Sequence, residues 1–338
     1  MRRVSFIALV AMGVLAVLAV ACDGEEGSEP TAEPSLTSVP VTSTGTVGAS
    51  PTLVPATAVG TVEATVPVGK IVFISRRTGD YEIFLLTPEG EVRLTNDPAE
   101  DENPDLSPDG DKIVFASNRE GTYHIYVMNV DGSNLVKVTD DPLGDMSPRW
   151  SPDGKRIAFS RAGAMTVMDS DGSNVQKLIE PKPEATAPLC EAGGFLGDWS
   201  PDGQRLTFYA ASATRGVGQV CTIKVDGSDL KVVASEPPAY HVEPTWSPDG
   251  QWIAYRFIQP DGNHEIYAIR PDGTSSTDLT NNPAMDIEPA WSPDGQWIVF
   301  SSARVGDNFD LYMMKPDGSG VARLINSPGK DSDPSWGP

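Results

Sequence analysis

One short phrase, Ser-Pro-Asp-Gly, occurs five times along the chain, and this repeat constrains the fold more than any other feature. Residues 246–255 read WSPDGQWIAY and residues 291–300 read WSPDGQWIVF. The WGP at 336–338 takes the place of the phrase near the C-terminus, and successive spacings are 44, 49, 47, 45 and 45 residues. A recurring period near 45 indicates tandem copies of one supersecondary unit. The phrase begins at Ser107, Ser151, Ser200, Ser247 and Ser292.

Each unit follows the same order of short runs. After the phrase comes an alternating apolar run such as KIVFAS, then a second run such as HIYVMNV, an Asp-Gly turn, a third run such as LVKVT, and a fourth such as EPTW. Runs of about five residues with period-two alternation and β-branched or aromatic content predict strands. Asp-Gly between two such runs predicts a hairpin, because glycine tolerates positive φ. Four strands per unit at this period predict the blades of a β-propeller.

Counting the runs predicts six blades and a way to close them. The first unit starts at KIVFIS (70–75) without its leading phrase, while the C-terminal DSDPSWGP is a leading strand with no blade of its own. If that strand joins the first blade, no sheet edge inside the ring is left unpaired. We therefore predict an all-β, six-bladed propeller with four antiparallel strands per blade, closed by the C-terminal strand. The tryptophans that precede the phrase are expected to pack between neighbouring blades.

The pattern SPDGxxIxFxSxR…IYxM…DGSxxxxLT…DxxPxWSPDG resembles the PD40 (WD40-like) repeat of TolB-type six-bladed propellers, over residues 66–338. The resemblance implies recognition of a peptide or protein segment at the central channel. In place of the α/β domain that precedes the propeller in TolB, this chain has a segment of different composition. A role in the Tol-Pal envelope system is therefore not implied.

The N-terminal part predicts export. Residues 1–22 combine two arginines with an apolar run and a small-residue end, the profile of a secretory signal. Cys22 follows Ala19-Val20-Ala21, which resembles a bacterial lipobox, and the alternative is an ordinary signal peptide cleaved near Ala21. Residues 23–66 lack aromatic residues and are rich in Pro, Ser and Thr, so we predict a disordered stalk. The propeller is assigned to residues 67–338, and the protein is expected to be a membrane-anchored lipoprotein on the extracytoplasmic face.

The charge and the motifs exclude several functions. A formal net charge of −22 repels nucleic acid and anionic membranes, so contact with a membrane is expected through the lipid anchor only. The sequence has no Gly-x-Ser-x-Gly elbow, His-Glu-x-x-His pair, Walker loop or Cys-x-x-Cys, and only three histidines. We predict a monomeric protein that is not an enzyme, with no resident cofactor or metal.

Aligning the six units reveals a set of charged positions at one mouth of the channel. Four carboxylates occur three residues before the repeated proline, and three arginines occur four residues after the aromatic of the first run. A structural arginine–carboxylate pair explains both sets of residues. Each arginine would bind the carboxylate on the next innermost strand, which begins where the strand of the arginine ends. The alternative is a site for a cation, calcium for example, or an amine. The positions are Asp101, Asp145, Asp286 and Asp331 for the carboxylates, and Arg77, Arg119 and Arg304 for the arginines.

Two units, those starting at Ser151 and Ser200, lose this pair and have the longest spacings. Departures from a regular pattern are places where function is found. We therefore predict an irregular rim that recognises a ligand, the alternative being variation tolerated in a loop. Cys190 and Cys221 lie beside the two insertions and form either a disulfide or two buried thiols. The predicted rim consists of Phe195, Tyr209, Arg215, Tyr240 and His241.

The function expected from the sequence is a non-catalytic, envelope-anchored scaffold that binds a peptide or protein partner at the channel face. One alternative is a hydrolase or lyase acting on peptide or glycan. Another is the sensory ectodomain of a separately encoded partner.

Overall fold

The structure is a computed structural model, and it describes residues 61–62, 69–183, 188–212, 214–306 and 308–338. The described residues form 26 strands and one short 3-10 helix, η1 (Leu189–Ala192). The signal segment and Cys22 lie outside the described residues. No helix in the described ranges is long and apolar enough to cross a membrane.

Twenty-four of these strands form six four-stranded antiparallel sheets, the blades of a propeller. From the innermost strand outward, blade one is β26 (Asp331–Gly337), β2 (Lys70–Ser75), β3 (Glu82–Thr87) and β4 (Gly90–Arg93). Blade two is β5 (Asp101–Leu106), β6 (Lys112–Ser117), β7 (His124–Asn129) and β8 (Val136–Lys137). Blade three is β9 (Asp145–Trp150), β10 (Arg156–Arg161), β11 (Ala164–Asp169) and β12 (Gln176–Lys177).

The second half of the ring repeats this order. Blade four is β13 (Phe195–Trp199), β14 (Arg205–Ser212), β15 (Val217–Lys224) and β16 (Lys231–Ala234). Blade five is β17 (Tyr240–Trp246), β18 (Ile253–Ile258), β19 (His264–Ile269) and β20 (Thr277–Asp278). Blade six is β21 (Asp286–Trp291), β22 (Ile298–Ser302), β23 (Asp310–Met314) and β24 (Ala322–Arg323).

The predicted closure is confirmed, because the C-terminal strand β26 pairs with β2 of blade one. Lys70 lies opposite Gly337, and Ser75 lies opposite Asp331. The first blade therefore contains both an early and the last segment of the chain, and the ring has no gap between its first and sixth blades.

The repeated Ser-Pro-Asp-Gly is a turn stabilised by its own side chains. In the first copy the Ser107 hydroxyl donates to Asp109 (2.6 Å) and accepts a hydrogen bond from the backbone N–H of Lys112 (2.9 Å). Gly110 adopts a φ of +72°, which a residue with a side chain rarely does. The same Ser–Asp hydrogen bond recurs at 2.6 Å in the other four copies. The sequence repeats because blades two to six each use this turn to join the innermost strand to the second strand.

The core is divided into six apolar clusters, each shared by two neighbouring blades. Trp291, for example, packs with Ile266 of blade five and Phe300 of blade six. The five tryptophans at the ends of the innermost strands are at most 8 % exposed and lie in these clusters, as predicted: Trp150, Trp199, Trp246, Trp291 and Trp336. Leu106 occupies the equivalent position in blade two. Burial between blades, rather than within one, holds the ring together.

One short pairing lies outside the predicted propeller boundary. β1 (Thr61–Val62), which falls in the segment predicted as stalk, pairs with β25 (Ile325–Asn326), just after blade six. The described residues therefore include one paired strand from this segment, and the assignment of residues 23–66 as a stalk stays a prediction. Thr61 and Val62 belong to types that favour strands, and β25 offers backbone groups with which they can pair.

Candidate functional site

A channel of about 630 Å³ runs through the centre of the ring, lined mainly by the innermost strands. Prolines of the Ser-Pro-Asp-Gly turns, such as Pro108 and Pro248, lie along its wall. Two basic residues, Arg149 and Lys330, line it together with six acidic ones. The wall therefore carries an excess of carboxylates, which are Glu102, Asp105, Asp198, Glu243, Glu288 and Asp333.

Each innermost strand contains a bulge, which in five blades lies directly before the repeated proline, and this bulge shapes the wall. The residue at that point has positive φ in five blades: 52° at Asn103, 53° at Ser147, 55° at Glu243, 56° at Glu288 and 54° at Asp333. Residues other than glycine seldom adopt this left-handed conformation. In blade four the equivalent residues are Leu196 and Gly197; a side chain at position 197 would meet the Pro244 carbonyl oxygen at 2.2 Å, so glycine is required.

The bulges are joined from blade to blade by hydrogen bonds. Glu243 accepts the backbone N–H of Glu288 (3.2 Å), and Glu288 accepts that of Asp333 (2.7 Å). Asp333 then accepts the side-chain amide of Asn103 (2.7 Å), whose oxygen accepts the backbone N–H of Ser147 (3.2 Å). These five residues form a belt around most of the channel, which holds the side chains of Glu243, Glu288, Asp333 and Asn103 in place.

A second layer of carboxylates lies two residues further along the innermost strands. Asp105 accepts the backbone N–H of Trp150 (2.8 Å) and the hydroxyl of Ser335 (2.8 Å). Asp198 accepts the backbone N–H of Trp246 (3.0 Å) and the hydroxyl of Thr245 (3.1 Å). Both carboxylates therefore fasten one innermost strand to the next.

Burial raises the pKa of Glu102, Asp105, Asp198, Glu243 and Asp333, and the charge of a neighbouring carboxylate adds to the effect at all of these except Asp105. The pKa of Glu102 rises to about 7 through burial and through the nearby charge of Asp333. The pKa of Glu243 also rises to about 7, although its ion pair with Arg256 (3.0 Å) opposes the shift. Burial raises the pKa of Asp198 and of Asp333 to about 6.

Lys330 lies at the same wall. Its ammonium donates to the Tyr81 hydroxyl (3.3 Å) and lies over the rings of Tyr81 and Phe309 at 5.6 and 5.4 Å. Burial alone would lower the pKa of Lys330, but the charges of Glu288 and Glu243 raise it above its usual value. The side chain is therefore a resident cation that offsets part of the negative charge.

The predicted arginine–carboxylate pairs form, but with different partners from those expected. Arg77 pairs with Asp331 (2.8 Å), Arg119 with Asp101 (3.0 Å) and Arg304 with Asp286 (2.7 Å). The matching of each arginine to the following leading strand is therefore wrong. The second strand of a blade runs antiparallel to the innermost strand of its own blade, so its end lies beside that strand's start.

The expected matching of three arginines to four carboxylates gave Asp286 no partner, but Asp286 pairs with Arg304. Asp145 also has an arginine partner, since Arg161 binds it through two nitrogens at 2.6 and 2.9 Å. Arg161 precedes the aligned position by two residues because the β10–β11 hairpin is short. All four aspartates are completely buried, and none of them is among the residues that line the channel. This arrangement supports the structural interpretation of the ring rather than a cation or amine site there.

His241 takes the aspartate position in blade five. It is 2 % exposed, its ring lies 5.4 Å from that of Tyr255 and 4.9 Å from that of Phe257, and its Nε2 accepts the backbone N–H of Glu236 (3.1 Å). Burial lowers the pKa of His241 to about 4, so the ring is neutral at pH 7. Its contacts are those of a core residue.

The other predicted rim residues are only partly brought together. Phe195 and Tyr209 stack with ring centroids 5.5 Å apart, and Tyr209 lines the channel. Burial and the charge of Glu243 raise the pKa of Tyr209. Tyr240 packs against Gly218 of β15, whereas Arg215 is exposed on the β14–β15 hairpin, apart from the residues of the channel wall.

Cys190 and Cys221 form a disulfide that joins η1 to β15. Within the described residues, no group of three or more His, Cys, Asp or Glu side chains is arranged to hold a metal ion.

The belt and its second layer were missed by the sequence reasoning, which followed the buried aspartates instead. A signal was present, because the residue before the repeated proline is polar in five of six units, as in EPTW, EPAW and DPSW. A polar residue beside a strand's buried positions has to face either solvent or a cavity.

Six blades surround a charged channel, and the ring is closed by a first blade that combines the C-terminal strand with three early strands. This arrangement defines a β-propeller. The chain belongs to the TolB β-propeller domain family, whose PD40 model matches residues 63–167 and 161–338.

Solved structures show the same fold at low sequence identity. TolB from Acinetobacter baumannii is 20 % identical with a TM-score of 0.66, covering 80 % of this chain and 67 % of that one. A chain of a nidogen/laminin complex is 12 % identical with a TM-score of 0.62, covering 79 % and 98 %. An oligogalacturonate lyase in complex with manganese is 16 % identical with a TM-score of 0.51, covering 76 % and 74 %. A sequence comparison with curated proteins finds no match.

Proposed function

We propose that the protein is a non-catalytic binding protein that recognises a peptide or protein segment at the mouth of its channel. The observation that carries this proposal is the hydrogen-bonded belt of polar side chains in a channel of about 630 Å³. Polar groups that are fixed in advance can recognise a ligand without the entropy cost of ordering them. Membership of the TolB β-propeller family and the likeness to a chain of the nidogen/laminin complex support a protein partner.

Export to the cell envelope is part of the same proposal. A disulfide between Cys190 and Cys221 is typical of an oxidising compartment, which supports an exported protein. The lipid anchor at Cys22 and the monomeric state belong to the proposal as well. The lipid anchor is checked by the mass of the N-terminal peptide of the mature protein.

The fold shared with an oligogalacturonate lyase raises catalysis as the competing function. An oligogalacturonate is a polyanion, and it would meet the repulsion of six channel carboxylates. The carboxylates of the belt are also occupied by hydrogen bonds from the neighbouring blade. Both observations favour binding over catalysis.

The test is selection of peptides from a phage-displayed random library against the full mature chain. Ala290 lines the channel, and Val175 is 47 % exposed at the outside of blade three. We expect the selected peptides to lose binding to the Ala290→Phe variant, whose ring obstructs the channel, and to keep it with Val175→Phe. Thermal melts of both variants control for folding. Peptides that bind the two variants equally would refute recognition at the channel.

A further inference from the structure

The channel carboxylates differ in how many hydrogen bonds and ion pairs they already form. Asp105 and Asp198 each accept hydrogen bonds from two residues of neighbouring strands, and Glu243 is paired with Arg256. Glu102 forms no ion pair in the part of the chain that the structure describes. The neighbour that lowers its pKa by hydrogen bonding is the Tyr123 hydroxyl. Glu102 therefore has capacity for a further partner.

A second, independent feature lies on the neighbouring innermost strand. Ser332 occupies the same position on β26 that Glu102 occupies on the adjacent innermost strand β5, two residues before the proline. Ser332 lines the channel and is 1 % exposed, yet its hydroxyl has no hydrogen-bond partner among the described residues. A buried hydroxyl without a partner is costly, and such a group in a binding channel points to a ligand that completes it.

The balance of charge indicates the sign of that ligand. Six acidic residues line the channel against two basic ones, and one of those, Lys330, is directed to the Tyr81 hydroxyl and to two aromatic rings. Asp333, next to Ser332, has the Asn103 amide as its side-chain partner. Negative charge in a partly desolvated channel attracts a cation that can donate several hydrogen bonds.

We propose that the channel binds one basic side chain, lysine or arginine, of the recognised segment, and that Glu102, Asp333 and Ser332 hold its cationic group. This inference rests on the proposed function and names the feature of the segment that the channel selects. The ammonium or guanidinium donates to the carboxylates of Glu102 and Asp333, while the Ser332 hydroxyl supplies an oxygen acceptor. Lys330, which directly precedes β26, then competes with the ligand as an internal cation.

Proton binding follows from the same geometry. Asp333 and Glu100 raise the pKa of Glu102 after burial, while Tyr123 and Lys330 lower it, and the result is about 7. Below that value the folded protein holds a proton on Glu102, which a bound cation has to displace. Binding of a basic segment is therefore expected to weaken as the pH falls from 8 to 6.

The experiment uses the peptides selected against the full chain that require an open channel. We expect lysine or arginine at one position in all of them. Replacing that residue by norleucine, or Glu102 by Gln, should weaken binding about tenfold or more, as loss of a charge-assisted hydrogen bond does. Lys330→Met should strengthen binding. Affinities are measured by calorimetry at pH 8 and pH 6, with and without EDTA.

The matched control is Glu89→Gln, the same chemical change at an exposed residue outside the channel. It should leave the affinity unchanged. Channel-dependent peptides without a basic residue, or equal affinity for wild type and Glu102→Gln, would overturn the cationic site while leaving peptide recognition intact. Loss of binding in EDTA would also overturn it, because a metal ion would then bridge the peptide and the carboxylates. The norleucine peptide gives a result that does not depend on how any protein variant folds.

Discussion

The four arginine–aspartate pairs hold fully buried carboxylates against partly buried or buried guanidinium groups. Removing both charges from water costs several kcal/mol, so a buried pair is not by itself strongly stabilising. Breaking one is different, because the remaining charge stays buried without compensation. These residues are thus constrained as pairs, and a change at one demands a change at the other.

Arg304→Met tests this constraint. The variant leaves the Asp286 carboxylate, which is 0 % exposed, without its guanidinium at 2.7 Å. We expect the free energy of unfolding to fall by about 3–5 kcal/mol, measured by urea denaturation. The double variant Arg304→Met with Asp286→Asn should lose clearly less of the free energy of unfolding than Arg304→Met alone.

Arg76→Ala serves as the control for that measurement. Its pair with Glu100 is partly exposed, with 47 % and 25 % of the two side chains accessible, and removal should cost about 1 kcal/mol or less. If Arg304→Met cost no more than Arg76→Ala, the buried pairs would not have the role described here.

At this scale the sequence predicted the residue types of the pairs but not their partners. Alignment of the repeats places Arg304 and Asp286 at fixed points of a unit. It does not say which sheet each strand joins, and the unit defined by Ser-Pro-Asp-Gly starts one strand later than the blade. Arg161 was missed because its hairpin is shorter than the others, which moves the guanidinium by two residues along the chain.

At the scale of elements, the bulge of the innermost strand has the largest effect on function. It rotates the residue before the proline into a left-handed conformation and turns its backbone N–H toward the side chain of the preceding blade. Strand periodicity could predict the strands and hairpins, but not this rotation. An alternating pattern assumes regular pleating, and a single extra residue changes which side chains face the channel.

Substitutions at Ser147 measure the cost of that conformation. Ser147 has a φ of 53°, so Ser147→Gly and Ser147→Ala remove the same hydroxyl but differ in their tolerance of positive φ. We expect the glycine variant to be more stable than the alanine variant by about 1 kcal/mol, measured by thermal and urea unfolding. Ser301 on β22, whose φ is not positive, should show the opposite order. The same order at both positions would contradict the interpretation.

At the scale of the whole molecule, stability depends on closing the ring. Each apolar cluster belongs to two blades, so a missing strand affects the sheet it leaves and the neighbour that packs on that sheet. β26 contributes Trp336 to the cluster between blades six and one, and it contributes the carboxylate that pairs with Arg77. The sequence could predict this closure because one leading strand was missing at one end and one was in excess at the other.

Deleting residues 331–338 removes β26 and should prevent folding. Burial of one large aromatic side chain such as Trp336 contributes about 3–5 kcal/mol, against a total stability of about 5–15 kcal/mol. We expect the shortened chain to lose its cooperative melting transition by circular dichroism. A synthetic peptide of residues 331–338 added in excess should restore part of it. A shortened chain that melts at the temperature of the intact one would disprove closure by β26.

The pairing of β1 with β25 has a mechanical consequence. β1 precedes the seam between the first and last blades in the chain, so tension applied from the N-terminal side loads this two-residue pair before it loads β2. The short pair yields first. β2 is then held on both sides, by β26 and by β3, along nearly its whole length. A pulling force therefore acts on the weak β1–β25 pair before it acts on the strongly paired β2. The leading segment detaches while the blades keep their arrangement.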